Sequence, residues 1–318
     1  MLWEPGGPLV MTEITPTLPP IGDVYIRLHS AAVNKRDYWI TQGQYPGIIY
    51  PLILGADGAG VLDNREVIIN PSVNWGDNPH YFAPGFEIIG MPDHGTFAQM
   101  VKAPETNLYD KPAHLSWNEA AALPVTGVTA YRAMFARGQA KEGERMLITG
   151  IGGGVATMAL LFGIAHKMEV WVTSSSDQKI GRAMEYGAKG GANYTKENWD
   201  KQLSVNANDK FDIVIDGAGS SEFSKILSLM KPHGRIIIYG GTGGAIKELS
   251  PHRIFWKQLD ILGSTMGSPE DFQLMIDFVN QHKIKPIISH VFQLADVNEA
   301  IALVGRNEQF GKVCIEIS

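Results

Sequence analysis

Beyond Pro124 the chain keeps one rhythm: short, almost wholly apolar runs alternate with stretches whose apolar residues recur at helical spacing. The apolar runs are "RMLITG", "EVWVTSS", "FDIVIDGAG", "GRIIIYGG" and "LDILGSTMG"; between them lie "GVATMALLFGIAHK", "DQKIGRAMEYG", "FSKILSLM" and "IFWKQ". Segments as uniformly apolar as "MLIT", "DIVI" and "RIIIYG" suit strands covered on both faces, and their alternation with helices predicts a parallel sheet of βαβ units. The first third has another texture. "VYIRLHSAAV" at 24–33 partly alternates, and "GADGAGVL" and "REVIIN" are short apolar runs cut by Gly, Asp and Asn, as in a β-rich domain with many turns. Residues 71–95, with several Pro, Gly and Asp, read as loop. The terminal "GKVCIEI" has strand character but no helix–strand partner after Met266, so the chain is expected to return to its first domain. The pattern predicts an α/β protein: a doubly wound parallel sheet over residues 124–267, and a mostly β domain made of residues 1–123 and 268–318.

Composition narrows the chemistry. At 318 residues, 44% hydrophobic and 19% charged, the chain can bury two cores. A formal net charge of -6 argues against nucleic-acid or anionic-membrane surfaces, which need clustered Lys and Arg, and favours a small-molecule partner. Cys314 is the single cysteine, which excludes an intrachain disulfide and a multi-thiolate metal site and fits a reducing, cytoplasmic setting. The N-terminal "MLWEPGGPLVMTEITPTLPP" lacks the basic and apolar regions of a secretion signal, and no apolar run reaches the roughly 18 residues of a membrane span.

The stretch "MLITGIGGGVATMALLFGIAH", 146–166, places a strand, a glycine cluster and a helix in the order a dinucleotide-binding turn requires. Gly150, Gly153 and Ala156 are spaced three apart, and the first helical residues, Gly154 and Val155, would aim backbone N–H groups at a pyrophosphate. A tight corner without ligand would also look like this. Three further features favour a nucleotide. The next strand ends in Ser174, Ser175 and Ser176, followed by Lys179, where an NAD-preferring fold places Asp or Glu; hydroxyls and an ammonium suit a phosphate dianion, so NADPH is the expected cofactor. Tyr194, in "GGANYTKENW", follows the third strand and could reach the same phosphate, although a buried tyrosine would serve as well. Small residues recur at two later strand ends, Ala218 in "DGAGS" and Gly240 and Gly241 in "YGGTGG"; Thr265 and Met266, after the last strand, are further cofactor-binding candidates.

Taken together with "AAVNKRDYWITQGQYP", "PLILGADGAGVL", "HGTFAQMVKAPETNLYDKPAHLSWNEAAALPVTGVTAYRAM", "TSSSDQK" and "GKVCIEI", these segments make the chain resemble a zinc-independent member of the medium-chain dehydrogenase/reductase superfamily, in its quinone oxidoreductase branch, over nearly its whole length. The resemblance implies a Rossmann cofactor domain and a GroES-like catalytic domain. Two departures stand out: Ala156 where relatives end the turn in Gly, and "GIGGG" where they often have "GAAGG". In zinc-dependent relatives a Cys matches Asn34, a His matches Ala56, and a second Cys falls near Pro124 and Val125; none is present here, and Asp57 alone cannot hold zinc. No metal is expected.

The resemblance also implies site residues. Tyr45 matches a proton-donating or substrate-orienting tyrosine, Asn34 an amide beside the nicotinamide, and Thr126 a residue near the carboxamide; each has a plainer reading as loop packing, turn cap or helix cap. Asp37 reads as structural. The implied activity is NADPH-dependent reduction of quinones or α,β-unsaturated carbonyl compounds. The alternatives are an enoyl-thioester reductase, whose carrier would want a basic patch that is not evident, and an NADPH-binding protein without turnover. A homodimer through the edge strand "LDILGSTMG" is expected.

Overall fold

The computed structural model describes residues 1–219 and 222–317. The first segment holds β1 (Asp23–Val33), α1 (Lys35–Thr41), β2 (Asp57–Leu62), β3 (Arg65–Ile69), β4 (Ser72–Val73), β5 (Glu87–Ile88), β6 (Met100–Pro104), β7 (Leu108–Asp110), α2 (Trp117–Ala122) and α3 (Pro124–Tyr131). The alternating segment follows: β8 (Arg145–Ile148), α4 (Gly154–Ala165), β9 (Glu169–Ser174), α5 (Asp177–Glu185), β10 (Gly190–Asn193), α6 (Trp199–Ala207), β11 (Phe211–Asp216), α7 (Phe223–Leu229), β12 (Met230–Ile238), α8 (Pro251–Lys257) and β13 (Asp260–Gly263). The chain closes with α9 (Pro269–His282), β14 (Ile288–Gln293), α10 (Val297–Gly305) and β15 (Lys312–Glu316). Two compact units result, Met1–Val128 with Gly267–Ser318, and Thr129–Met266. The first division falls inside α3, a little beyond the 123/124 boundary read from the sequence.

The second unit is a six-stranded sheet in the order β10-β9-β8-β11-β12-β13, parallel throughout. Met146, Leu147 and Ile148 of β8 and Ile213, Val214 and Ile215 of β11 are fully buried, which is why these runs carry no polar alternation. Helix α6 escaped the sequence reading because "WDKQLSVNA" is mostly polar; its buried residues, Trp199, Leu203 and Ala207, recur every four positions.

The first unit is built on a mixed sheet, β14-β15-β1-β2-β3-β7, with β6 also paired to β1. The terminal "KVCIE" strand joins this sheet, antiparallel to β1 and parallel to β14. Strand β1 alternates at Ile26 and Leu28 and is buried at every position from Ser30 to Val33. Two flanking strands explain the change at this end, together with Ala122 of α2, which packs on Ala32 and Cys314. Residues 71–95 are loop apart from the short β4–β5 pair, and Trp75, Phe82 and Phe86 pack their rings at 4.8 to 5.9 Å inside it. Among the described residues no helix is long and apolar enough to cross a membrane.

Candidate active site

In the second unit the glycine turn sits between β8 and α4. Gly150 has φ +65°, a conformation that costs an ordinary side chain strain, and its N–H donates to Thr173 Oγ1 at 3.3 Å. Gly153 precedes the first turn of α4 without any side-chain cap, and a Cβ built on either glycine would enter open space. The uncapped amides of a twelve-residue helix thus face an open approach, which fits a pyrophosphate. Ala156, by contrast, is buried and belongs to the helix–sheet packing.

The residues expected to read the adenosine phosphate gather at the end of β9, with unequal freedom. Ser174 is buried; its hydroxyl accepts the Ser176 N–H at 3.2 Å. Ser176 caps α5 by accepting the Lys179 N–H. Ser175 is exposed, Lys179 half-buried and Tyr194 40% exposed, and the Tyr194 N–H donates to Ser174 O. The sequence reading missed three neighbours, Asp177, Asn193 and Lys196. Asp177 accepts from Lys196 Nζ at 2.8 Å and Asn193 Nδ2 at 3.3 Å, and the Lys196 ammonium holds its carboxyl below the usual range.

The later strand ends are tied to one acid. Asp216, which burial pushes above the usual carboxyl range, accepts from Thr149 Oγ1, Ala218 N and Gly219 N. Thr242 N and Gly243 N donate to Gly217 O and Ala218 O, which binds the Ala218 and Gly240–Gly241 turns together. Ser220 of the quoted "DGAGS" lies outside the described residues. Thr265 is exposed and Met266 is buried with φ +45°. Thr126, in α3, belongs to the first unit, where its buried hydroxyl donates to the carbonyl of Ala122, the last residue of α2, at 2.9 Å.

The first unit holds a buried charge cluster. Lys312, 3% exposed, donates from Nζ to Asp57 Oδ2 (2.8 Å), Asn34 Oδ1 (2.7 Å) and Val33 O (2.9 Å). Asn34 Nδ2 donates to Asp57 Oδ2 at 2.8 Å, and Val125 N donates to Asp57 Oδ1 at 2.7 Å. Of the positions the resemblance matches to metal ligands, Asn34 and Val125 are thus joined through Asp57, the neighbour of Ala56, and the group they surround is an ammonium. An amide already bonded on both sides, a backbone N–H and a carboxylate paired with lysine are a poor donor set for zinc. Asp37 completes the surroundings: its Oδ2 accepts the Asn34 N–H at 2.8 Å, and burial pushes its carboxyl up to about 6 against the pull of the Arg36 guanidinium. Tyr45 is half-buried against the core, with the Arg36 guanidinium 5.6 Å from its ring centre.

Comparison with known proteins follows this division. Residues 20–113 match the alcohol dehydrogenase GroES-like domain and residues 150–281 the zinc-binding dehydrogenase family. The zinc-type alcohol dehydrogenase-like protein YogA of Leptosphaeria maculans is 36% identical over 98% of this chain and 95% of its own length. The chain belongs to the medium-chain dehydrogenase/reductase superfamily. The human quinone oxidoreductase is 28% identical over 94% of this chain and 91% of its own length. A crystal structure described as an NAD-dependent alcohol dehydrogenase superposes with a TM-score of 0.91 at 31% identity, over 100% of this chain and 98% of that one. For a medium-chain dehydrogenase/reductase, Lys312 is the partner the sequence reading did not supply, because nothing in "GKVCIEI" sets it apart from a solvated strand lysine.

The cluster makes a direct prediction. Lys312→Met leaves Asp57 charged and buried without its counter-ion, and breaking a buried pair this way costs about 3 to 5 kcal/mol. Urea unfolding should show that loss, and the double variant with Asp57→Asn should recover part of it; equal stability of wild type and Lys312→Met would mean the pair is inert.

Proposed function

We propose that the chain is an NADPH-dependent, zinc-independent reductase of quinones or α,β-unsaturated carbonyl compounds, working on a small electrophilic substrate in the cytoplasm. The observation that carries zinc independence is the Lys312 ammonium held by Asn34, a position the resemblance matches to a metal ligand, and by Asp57, next to another such position, Ala56. The relative named quinone oxidoreductase supports the substrate class, and the lone, buried Cys314, its thiol pushed up to about 12 by burial, supports a reducing compartment.

When bound, the nicotinamide cofactor supplies the hydride. The chain's own residues must hold it and stabilise the charge that develops on the substrate oxygen. Gly150, Gly153 and the amides of Gly154 and Val155 would receive the pyrophosphate, and Ser175, Lys179 and Tyr194 the adenosine phosphate. Asn34 spends its amide on Lys312 and Asp57, so its part is positioning. Tyr45 is then the proposed donor of a hydrogen bond or proton to the enolate or hydroquinone oxygen.

A homodimer through β13 belongs to the same reading. Among the described residues this edge strand pairs only with β12, and Gly263 O accepts from Arg137; the preceding helix α8 exposes Phe255 (62%) and Trp256 (74%). Light scattering at micromolar concentration should return twice the chain mass; a monomer would remove the proposal.

Cofactor choice is tested by calorimetry. NADPH should bind more tightly than NADH, and Lys179→Ala should weaken NADPH by about 1.5 to 3 kcal/mol while sparing NADH. Equal affinities would return the chain to the NAD dependence in the description of its structural neighbour.

Turnover tests the chemistry. Protein dialysed against a chelator should reduce enones at the wild-type rate, and Tyr45→Phe should lower that rate by roughly 100- to 1000-fold. Quinones need less help from an acid and should lose less. If turnover is unchanged on both classes, Tyr45 is a packing residue.

A further inference from the structure

Arg36, the second residue of α1, is tethered at one end of its guanidinium, where Nη1 donates to Ile89 O at 3.4 Å. Its Nε and Nη2 are buried and have no hydrogen-bond partner among the described residues. Leaving charged donors buried and unmade is costly, so a fold that keeps them so is expected to gain by it elsewhere. The edge concerned is informative. In this same molecule Arg145 grips Glu169 through Nε and Nη2 at 2.7 and 3.0 Å, and Arg306 grips Glu308 through Nε and Nη2 at 2.7 and 2.9 Å. The side of Arg36 without a protein acceptor is thus the side that takes a carboxylate in a two-pronged grip. The nearby acids are engaged elsewhere: Asp37 accepts the Asn34 N–H, and Asp57 holds Lys312.

The residue stacked on this guanidinium lies outside the regular elements. The Tyr45 ring lies 5.6 Å from the Arg36 guanidinium carbon, on the stretch 42–50 outside any helix or sheet. Gly43 and Gly47, two residues either side of Tyr45 in sequence, have φ +67° and +76°; a Cβ at Gly47 would meet nothing within 4 Å, while one at Gly43 would meet Pro5 at 3.2 Å. Displacing the ring would break no strand pairing, because Tyr45 belongs to no strand.

We propose that Arg36 is a specificity residue that binds a carboxylate carried by the electrophilic substrate, with Tyr45 as the movable cover. This rests on the reductase reading, and the test separates the two. The probes are (E)-4-oxopent-2-enoate and its methyl ester, which offer the same enone with and without a carboxylate. Wild type should prefer the acid in kcat/KM. Arg36→Gln should cut the acid-to-ester ratio by about 10- to 100-fold, chiefly through KM, as the loss of hydrogen bonds to a charged group implies. The ratio does not depend on how much of the variant is folded. Arg36→Lys keeps the charge but loses the fork and should fall between. A ratio that Arg36→Gln leaves unchanged overturns the proposal while the reductase reading stands. If wild type reduces neither compound, the activity reading falls, and calorimetry with the saturated acid 4-oxopentanoate decides the site without turnover: binding lost in Arg36→Gln upholds it, and no binding, or equal binding, overturns it.

Discussion

The buried pair of Lys312 and Asp57 is the constraint around which the first unit is arranged. An ammonium and a carboxylate removed from water are each expensive, and their attraction offsets the cost only when the remaining donors and acceptors are also satisfied. Here they are. The three protons of Lys312 find Asp57, Asn34 and Val33 O, and the two oxygens of Asp57 find Lys312, Asn34 and Val125 N. Those partners come from β15, the end of β1, β2 and the start of α3, so one cluster fixes four chain segments to one another. It gives the C-terminal strand an electrostatic reason, beside its apolar register on β1, to lie in this sheet.

The division of labour between the two units follows from the interactions each uses. The second unit prepares its ligand site mainly with backbone: left-handed Gly150, an uncapped helix start, and turns tied to Asp216. Backbone amides aimed by a helix keep their direction whatever side chains surround them, so such a site tolerates "GIGGG" for "GAAGG" and Ala156 for glycine, provided the approach stays open. The first unit works with side chains whose charges must balance.

This difference decides what the sequence made legible. The parallel sheet could be read because "MLIT" and "DIVI" are apolar for a local reason, burial on two faces, and the glycine turn because its geometry is demanded by residues within a few positions. Helix α6 could not, since three buried residues in nine give a weak period. Ser174 read as a phosphate contact, yet its hydroxyl is turned into the fold, and no pattern in "SSSDQK" shows which serine faces out. Lys312 and Asn34 are 278 positions apart, and Lys312 and Asp57 are 255 apart. A contact of that range leaves no periodic trace, so the resemblance named the missing zinc ligands without naming what took their place.

Charge balance also explains why specificity would be written on α1. Once Lys312 neutralises Asp57 and the Asn34 amide is spent, the cluster has no polar group left to offer a substrate. Discrimination then falls to side chains that the cluster positions without consuming. Arg36 and Tyr45 are such residues: α1 starts at the Asn34 cap, which Asp37 and Lys312 hold in place, and the guanidinium and the ring project from the segment that follows. The anchored Asn34 stands two residues before Arg36, so the cluster fixes where the helix carrying the guanidinium starts while leaving Nε and Nη2 without a hydrogen-bond partner among the described residues.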